Sequence, residues 1–106
     1  MKTQFIGQWK IVEMEQWEQD YIDMEEPGHI TFDKKGLGGF HFGCVDASLD
    51  WRYDASLDRV DFTFDGSDEG DQVTGRGWAA IQGKEMTGFI AFHLGEESGF
   101  KATKGK

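Results

Sequence analysis

The acidic segment Asp65-Gly66-Ser67-Asp68-Glu69-Gly70 contains the residue types of a calcium-binding loop. Oxygen donors occupy its first, third and fifth places and glycine its sixth, as in an EF-hand loop. The twelfth place of such a loop holds a bidentate glutamate, whereas this chain has Arg76 there. The flanking segments also alternate like strands rather than helices. We therefore interpret the segment as a solvated hairpin turn, with weak calcium binding as the alternative.

The histidines and the single cysteine lack the spacing of a metal site or a nucleophile. His29, His41 and His93 fall on three predicted strands, without the paired ligands that usually mark structural zinc. Cys44 has neither an adjacent base nor an oxyanion-type turn. Twenty acidic residues produce carboxylate pairs by chance, so such pairs do not indicate acid–base catalysis. We therefore favour a non-enzymatic protein without metal or cofactor, whose histidines are exposed or hydrogen-bonded.

The composition indicates one acidic domain over residues 1–106. The net charge of −9 argues against nucleic acid and anionic membranes as partners, because both are bound through Lys and Arg. One cysteine forms no internal disulfide. The N-terminal residues lack the apolar run of a signal peptide or a membrane span. We therefore predict a cytoplasmic protein.

The hydrophobic pattern predicts mainly antiparallel strands. Alternation is clearest in residues 45–53, where every second residue is apolar, and in the two arms of residues 72–93. A helix over 45–58 is the competing interpretation, but the unbroken alternation favours a strand. The first strand, from Gly7, changes faces or ends near Val12. The second DASLD copy, Asp54–Asp58, is predicted to be a loop between strands.

One helix is predicted near residues 15–25. Met14, Trp17, Tyr21 and Met24 recur at helical spacing, and the helix must end before Pro27. A brief strand over residues 21–24 is the alternative. Eight strands with short sequential connections predict an up-and-down antiparallel barrel, or a curled open sheet covered by the helix.

The aromatic residues are expected to fill the interior and leave at most a shallow pocket at one end, bordered by Trp9 or Trp51. Gly75 and Gly77 would make room for neighbouring rings. The phenylalanines predicted to point inward are Phe40, Phe42, Phe62, Phe64, Phe92 and Phe100.

The tripeptide Gly7-Gln8-Trp9, followed by a helix and a run of strands, resembles the lipocalin and fatty-acid-binding superfamily. The resemblance implies that Trp9 closes one end of the barrel and that a basic residue of the last strand covers it. Lys101 matches that second role, although the family usually has Arg. The late Thr-Asp-Tyr turn of the family has no counterpart here, and the chain is shorter than most members. It therefore resembles a small bacterial protein of lipocalin-like shape.

The central hairpin has two faces, and either face satisfies the pattern as the core. A core on the Ile81/Ile90 side leaves Trp78, Phe89, Arg76 and His93 as an outer patch. The reverse assignment turns Arg76 and His93 into the barrel. The candidate ligand contacts are therefore Trp9, Trp51, Arg76, Trp78 and His93.

Two functions follow from these patterns. In the first, the barrel carries a small apolar or amphipathic ligand near Trp9, Trp51 and Arg76. In the second, the acidic segments Glu13–Glu26 and Asp46–Asp71 dock on a basic partner protein. The volume of the interior distinguishes the two, since a filled interior favours the docking function.

Overall fold

The computed structural model describes residues 2–105 and consists almost entirely of strands. A 3₁₀ turn, Lys2–Phe5, precedes the first strand, and a one-turn helix α1, Gln19–Ile22, follows it. The strands are β1 (Gly7–Met14), β2 (His29–Phe32), β3 (Leu37–Phe42), β4 (Val45–Asp54), β5 (Arg59–Asp68), β6 (Asp71–Gln82), β7 (Glu85–Phe92) and β8 (Glu97–Lys104).

The eight strands form a closed, antiparallel, up-and-down barrel. Each strand pairs with its neighbours in sequence, and β1 closes the ring by pairing with β8, from Trp9 opposite Lys104 to Met14 opposite Phe100. The predicted barrel is confirmed, and its architecture is consistent with a lipocalin-like shape. The alternative of an open, curled sheet is wrong.

The predicted face change in β1 is confirmed. The pairing of β1 with β8 shifts register between Ile11 and Glu13, and Val12 at that irregularity is 38% exposed. A bulge of this kind inserts one unpaired residue and reverses the facing of the side chains that follow. It allows both Ile11 and Met14 to be buried although they have opposite parity.

The helix is shorter than the predicted span of residues 15–25. The residues expected to form its first turn are bonded to β8 instead, because the Glu15 amide donates to Gly99 O and the Gln16 amide donates to Ser98 Oγ. The apolar stripe is also only partly correct, since Trp17 and Tyr21 pack against the core whereas Met24 is 53% exposed. The alternative strand over residues 21–24 does not form. Within residues 2–105, no helix has the length and apolar character required to cross a membrane.

The segment considered for calcium is not a loop. Residues up to Asp68 belong to β5, and only Glu69 and Gly70 form the turn to β6. Both turn residues have positive φ, 53° and 91° respectively, as a tight two-residue hairpin requires. The hairpin interpretation is confirmed with a shorter turn, and no loop of EF-hand type forms, because residues 65–68 are paired in a ladder with β4. The second DASLD copy does form the β4–β5 turn, as predicted.

Aromatic rings fill the interior of the barrel. Phe64 contacts Phe40 and Phe92 at centroid distances of 4.9 and 5.3 Å, and Phe32 contacts Phe62 at 6.1 Å. All six phenylalanines predicted to point inward do so; five are buried and Phe92 is partly buried against them. The barrel is therefore a packed core and not an open cup.

Candidate functional site

The five residues predicted to contact a ligand do not form one site. The core lies on the Ile81/Ile90 side of the central hairpin, so Arg76 and Trp78 are on the outer face of β6. His93 is exposed in the connection after β7. Trp9 and Trp51 both face inward. The prediction that Arg76 and His93 point into the barrel under the reverse core assignment is therefore wrong.

Trp51 and Trp78 have structural surroundings that account for them. The Trp51 indole nitrogen donates to Asp33 O and Leu37 O, both at 3.1 Å, and its side chain is buried. Trp78 is half-buried, with the Arg59 guanidinium 5.3 Å from its ring.

The connections at one end of the barrel are strongly acidic. This acidic end consists of residues 15–28, 43–44, 69–70 and 93–96, which join β1 to β2, β3 to β4, β5 to β6 and β7 to β8. These residues include no Lys or Arg. Their carboxylates belong to Glu15, Glu18, Asp20, Asp23, Glu25, Glu26, Glu69 and Glu96. Such a uniform sign produces a negative potential that attracts cations and basic proteins.

Two large apolar side chains are exposed within this acidic end. Leu94 is 95% exposed and Met24 is 53% exposed. Leu94 also has a φ of +56°, a left-handed conformation that is uncommon for a branched residue and costs free energy. Its turn is held in place, because the His93 amide donates to Thr74 O and the Gly95 amide donates to Phe92 O. The fold thus fixes a leucine in solvent among carboxylates.

His41 is buried beside this end without a full set of hydrogen bonds. Its side chain is 8% exposed, and its Nε2 lies 3.6 Å from Glu25 Oε1 without a hydrogen-bond partner among the described residues. Its Nδ1 is 4.0 Å from Asp46 Oδ1, and its ring stacks on His29 at 6.1 Å. His41 is therefore neither an exposed nor a fully hydrogen-bonded histidine, contrary to expectation.

No group of three metal-ligating side chains is found within residues 2–105, and His93 lies in the β7–β8 connection whereas the stacked histidine pair is on β2 and β3. Cys44 is not activated as a nucleophile either. Desolvation, together with the carboxylates of Glu69 and Glu25, raises the pKa of the Cys44 thiol. A thiol with a raised pKa stays protonated near neutral pH, so it is a poor nucleophile and a poor metal ligand.

The opposite end of the barrel is organised around Trp9, and we call it the Trp9 end. Trp9 is buried there, and its indole nitrogen donates to Phe5 O at 2.9 Å. The Lys104 ammonium lies 4.6 Å from the centre of the Trp9 ring and donates to Ile6 O at 2.6 Å. The 3₁₀ turn and the last residue of β8 therefore cover Trp9 from two sides.

The expectation that Lys101 covers Trp9 is wrong. Phe100 and Ala102 face inward, so Lys104 shares their parity, whereas Lys101 faces outward and is exposed. The sequence already indicated this orientation, because a strand with Phe100 and Ala102 inward places Lys101 outward.

A cleft of about 550 Å³ opens beside Trp9, as expected for a pocket at one end. It is lined by Gln4, Trp9, Ile81, Gly83, Lys84, Thr103 and Lys104. Of the five predicted ligand contacts, only Trp9 contributes to it. The cleft lies outside the packed interior.

Sequence reasoning did not foresee that eight of the twenty acidic residues lie in the connections of one end. The available signal was the topology, since alternate connections of an up-and-down barrel lie at the same end. Comparison of the chain with protein-family models, with curated proteins and with solved structures found no match.

Proposed function

We propose that this protein is a non-enzymatic binding module whose acidic end docks on a basic, amphipathic segment of a partner protein. The observation that carries the proposal is the composition of the acidic end: its connections contain eight carboxylates, no Lys or Arg, and the exposed Leu94 and Met24. Carboxylates steer and orient a basic partner, and the two apolar side chains supply surface to bury on contact.

Leu94 is the natural anchor of this surface. Complete burial of a leucine side chain contributes roughly 1.5–3 kcal/mol, which its 95% exposure leaves unused in the free protein. The left-handed backbone conformation of Leu94 also costs conformational free energy. Such strain is often found at residues whose fixed position serves a function. A partner helix or strand with apolar residues between lysines or arginines matches both features.

His41 supplies a second observation in favour of a partner. A buried nitrogen without a hydrogen bond costs about 1–3 kcal/mol. The nitrogen in question, Nε2, is directed toward Glu25, one of the exposed carboxylates of the acidic end. A partner's Lys or Arg would reach this nitrogen by displacing the Glu25 side chain that lies over it, and would then donate to it when the imidazole is in the matching tautomer.

The filled interior argues against a carrier of the lipocalin type, whose ligand occupies the barrel. We nevertheless propose a lipocalin-like relationship for the fold, in a small bacterial and cytoplasmic protein. The arrangement of Trp9 beneath a basic residue of the last strand supports this relationship, with Lys104 in place of the expected Lys101.

The test uses a synthetic amphipathic helical peptide with Leu on one face and Lys on the other, which we call the Lys peptide. A peptide of equal length with Glu in place of Lys, the Leu/Glu peptide, is its counterpart. We expect calorimetry to show binding of the Lys peptide only, and affinity that falls as salt rises from 50 to 300 mM. Glu96→Lys should weaken binding about tenfold, since it reverses a charge at the docking surface. Leu94→Ser should weaken it by a similar factor.

Glu85→Lys is the matched control, because Glu85 is likewise exposed beside a hairpin turn but at the Trp9 end. Its affinity for the Lys peptide should remain within about twofold of the unchanged protein. Equal losses in Glu85→Lys and Glu96→Lys, or binding of the Leu/Glu peptide, would overturn the proposal, because neither outcome depends on the acidic end.

A further inference from the structure

We propose that the cleft at the Trp9 end binds a small amphipathic anion, such as a carboxylate with an apolar body. The site lies at the opposite end of the barrel from the docking surface and is independent of it. Its two ingredients are an apolar floor and a cationic rim. The half-buried Ile81 supplies the apolar floor, Trp9 lies beneath it and is only 3% exposed, and Lys84 and Lys104 flank the cleft.

The dimensions of the cleft suit a small ligand. Its volume of about 550 Å³ falls within the range of roughly 300–1,000 Å³ that is usual for ligand pockets. The ligand must lie across the mouth of the barrel, because the rings of Phe32, Phe62 and Trp51 occupy the interior behind it.

The cationic rim is partly pre-organised. The Lys104 ammonium is fixed by the Trp9 ring, by Ile6 O at 2.6 Å and by Gln4 O at 3.4 Å. An ammonium has three N–H donors, so one remains beyond these two carbonyls. Lys84 is exposed in the tight turn between β6 and β7. Neither lysine forms an ion pair within residues 2–105.

The charge distribution selects an anion. Two ammonium groups that form no ion pair among residues 2–105 lie beside one cleft and attract a carboxylate or sulfonate, whereas the remainder of a protein of net charge −9 repels it. Thr103 also lines the cleft, with the outward parity of Lys101. The apolar floor then favours an anion that carries a hydrocarbon or aromatic body over an inorganic ion.

The experiment compares dodecanoate with dodecyltrimethylammonium, both below their micelle concentrations, as probes of equal chain length. In amide NMR spectra of the full chain, we expect dodecanoate to shift Gly83, Lys84 and Thr103 in a saturable manner and to leave residues 93–96 unchanged. The cationic probe should bind at least tenfold more weakly at these residues, because the rim repels it.

Variants identify the charge responsible. Lys84→Glu should weaken dodecanoate binding roughly tenfold, and Lys84→Arg should retain it within about threefold. Lys35→Glu is the matched control, since Lys35 is exposed in another turn at the same end but does not line the cleft. It should bind within about twofold of the unchanged protein.

Three outcomes would overturn the inference. They are the absence of dodecanoate-dependent shifts at the cleft, equal binding of both probes, and equal losses in Lys84→Glu and Lys35→Glu. Failure here is distinguishable from failure of the docking function, because Glu96→Lys alters only peptide binding and Lys84→Glu alters only dodecanoate binding.

Discussion

The ring of Phe62 lies against the backbone of Gly77 on the neighbouring strand, where a side chain would otherwise be. The two residues are direct partners in the β5–β6 ladder. A Cβ added to Gly77 would stand 2.5 Å from Phe62 Cζ and would also collide with Phe89 O. Gly75 has the same relationship with Phe64, at 2.6 Å. The prediction that these glycines make room for rings is confirmed.

Gly77→Val should therefore destabilise the protein by about 1–3 kcal/mol or more, because the added methyl groups overpack a filled interior. Urea denaturation measures the change. Gly99→Ala is the control, since the nearest atoms to its added Cβ are at 3.7 and 4.0 Å; it should remain within about 0.5 kcal/mol. A neutral Gly77→Val, together with stoichiometric binding of a hydrophobic dye by the native protein, would instead indicate an open cavity.

Trp17→Ala should destabilise by about 2–4 kcal/mol, the range for large-to-small changes at packed sites. The indole covers one end of the core, with centroid distances of 4.9 Å to Phe42 and 6.4 Å to Phe92. Thermal and urea unfolding measure the loss. Met24→Ala removes the exposed member of the same apolar stripe and should change stability by less than about 0.5 kcal/mol. Comparable effects of both changes would contradict the observed packing.

Lys104→Met should destabilise by about 1–2 kcal/mol. It keeps the length of the side chain but removes the cation above the Trp9 ring and the hydrogen bond to Ile6 O. Lys101→Met, on the outer face of the same strand, should be nearly neutral and serves as its control. If chemical denaturation showed a larger loss of stability for Lys101→Met than for Lys104→Met, Lys101 would be the residue that covers Trp9.

Asp23 gives the α1–β2 connection a dependence on pH. Hydrogen bonds from the Gln19 side-chain amide and the Gly28 backbone amide lower the pKa of this carboxyl below its usual 3.8. A lowered pKa in the folded protein means stabilisation that is complete above the usual value and is lost as pH falls through the folded one.

Asp23→Asn should therefore cost about 0.5–1 kcal/mol at pH 7, which is less than the roughly 1.5–3 kcal/mol of a hydrogen bond to a charged group because solvent screens this partly exposed carboxylate. The difference from the unchanged protein should shrink as the pH is lowered below about 4. Urea denaturation at pH 7, 5 and 3 measures it. A difference that stays constant over this range would show that charge is not responsible.

The strands were predictable because the barrel has one buried face. In β4, Val45, Ala47, Leu49 and Trp51 alternate with polar residues, and the structure buries all four. Local contacts also fix the two-residue turns. Helix length was not predictable from the apolar stripe, because β8 captures the Glu15 and Gln16 amides through pairing between residues far apart in sequence. A local pattern contains no information about such a competitor.

The candidate sites depended on the same non-local information. Lys104 and Lys84 are separated in sequence and meet at one cleft only after the barrel closes. His41 has the parity of an outer residue, yet the connection bearing Glu25 covers it. Residue type and spacing identified Trp9, which the fold places at an end. The residues that surround Trp9 could not be predicted without knowing which connections lie at the same end of the barrel.

The pairing of β1 with β8 gives the barrel a seam. Every other ladder joins strands adjacent in sequence and needs only local contacts, whereas the seam brings together the most distant strands of the chain. The loop entropy lost on joining them grows only slowly with chain length, but it must be lost before the seam contacts compensate for it. We infer that the seam forms last in folding. Once it has formed, every strand is held by two ladders, so no strand can detach from the barrel without breaking both.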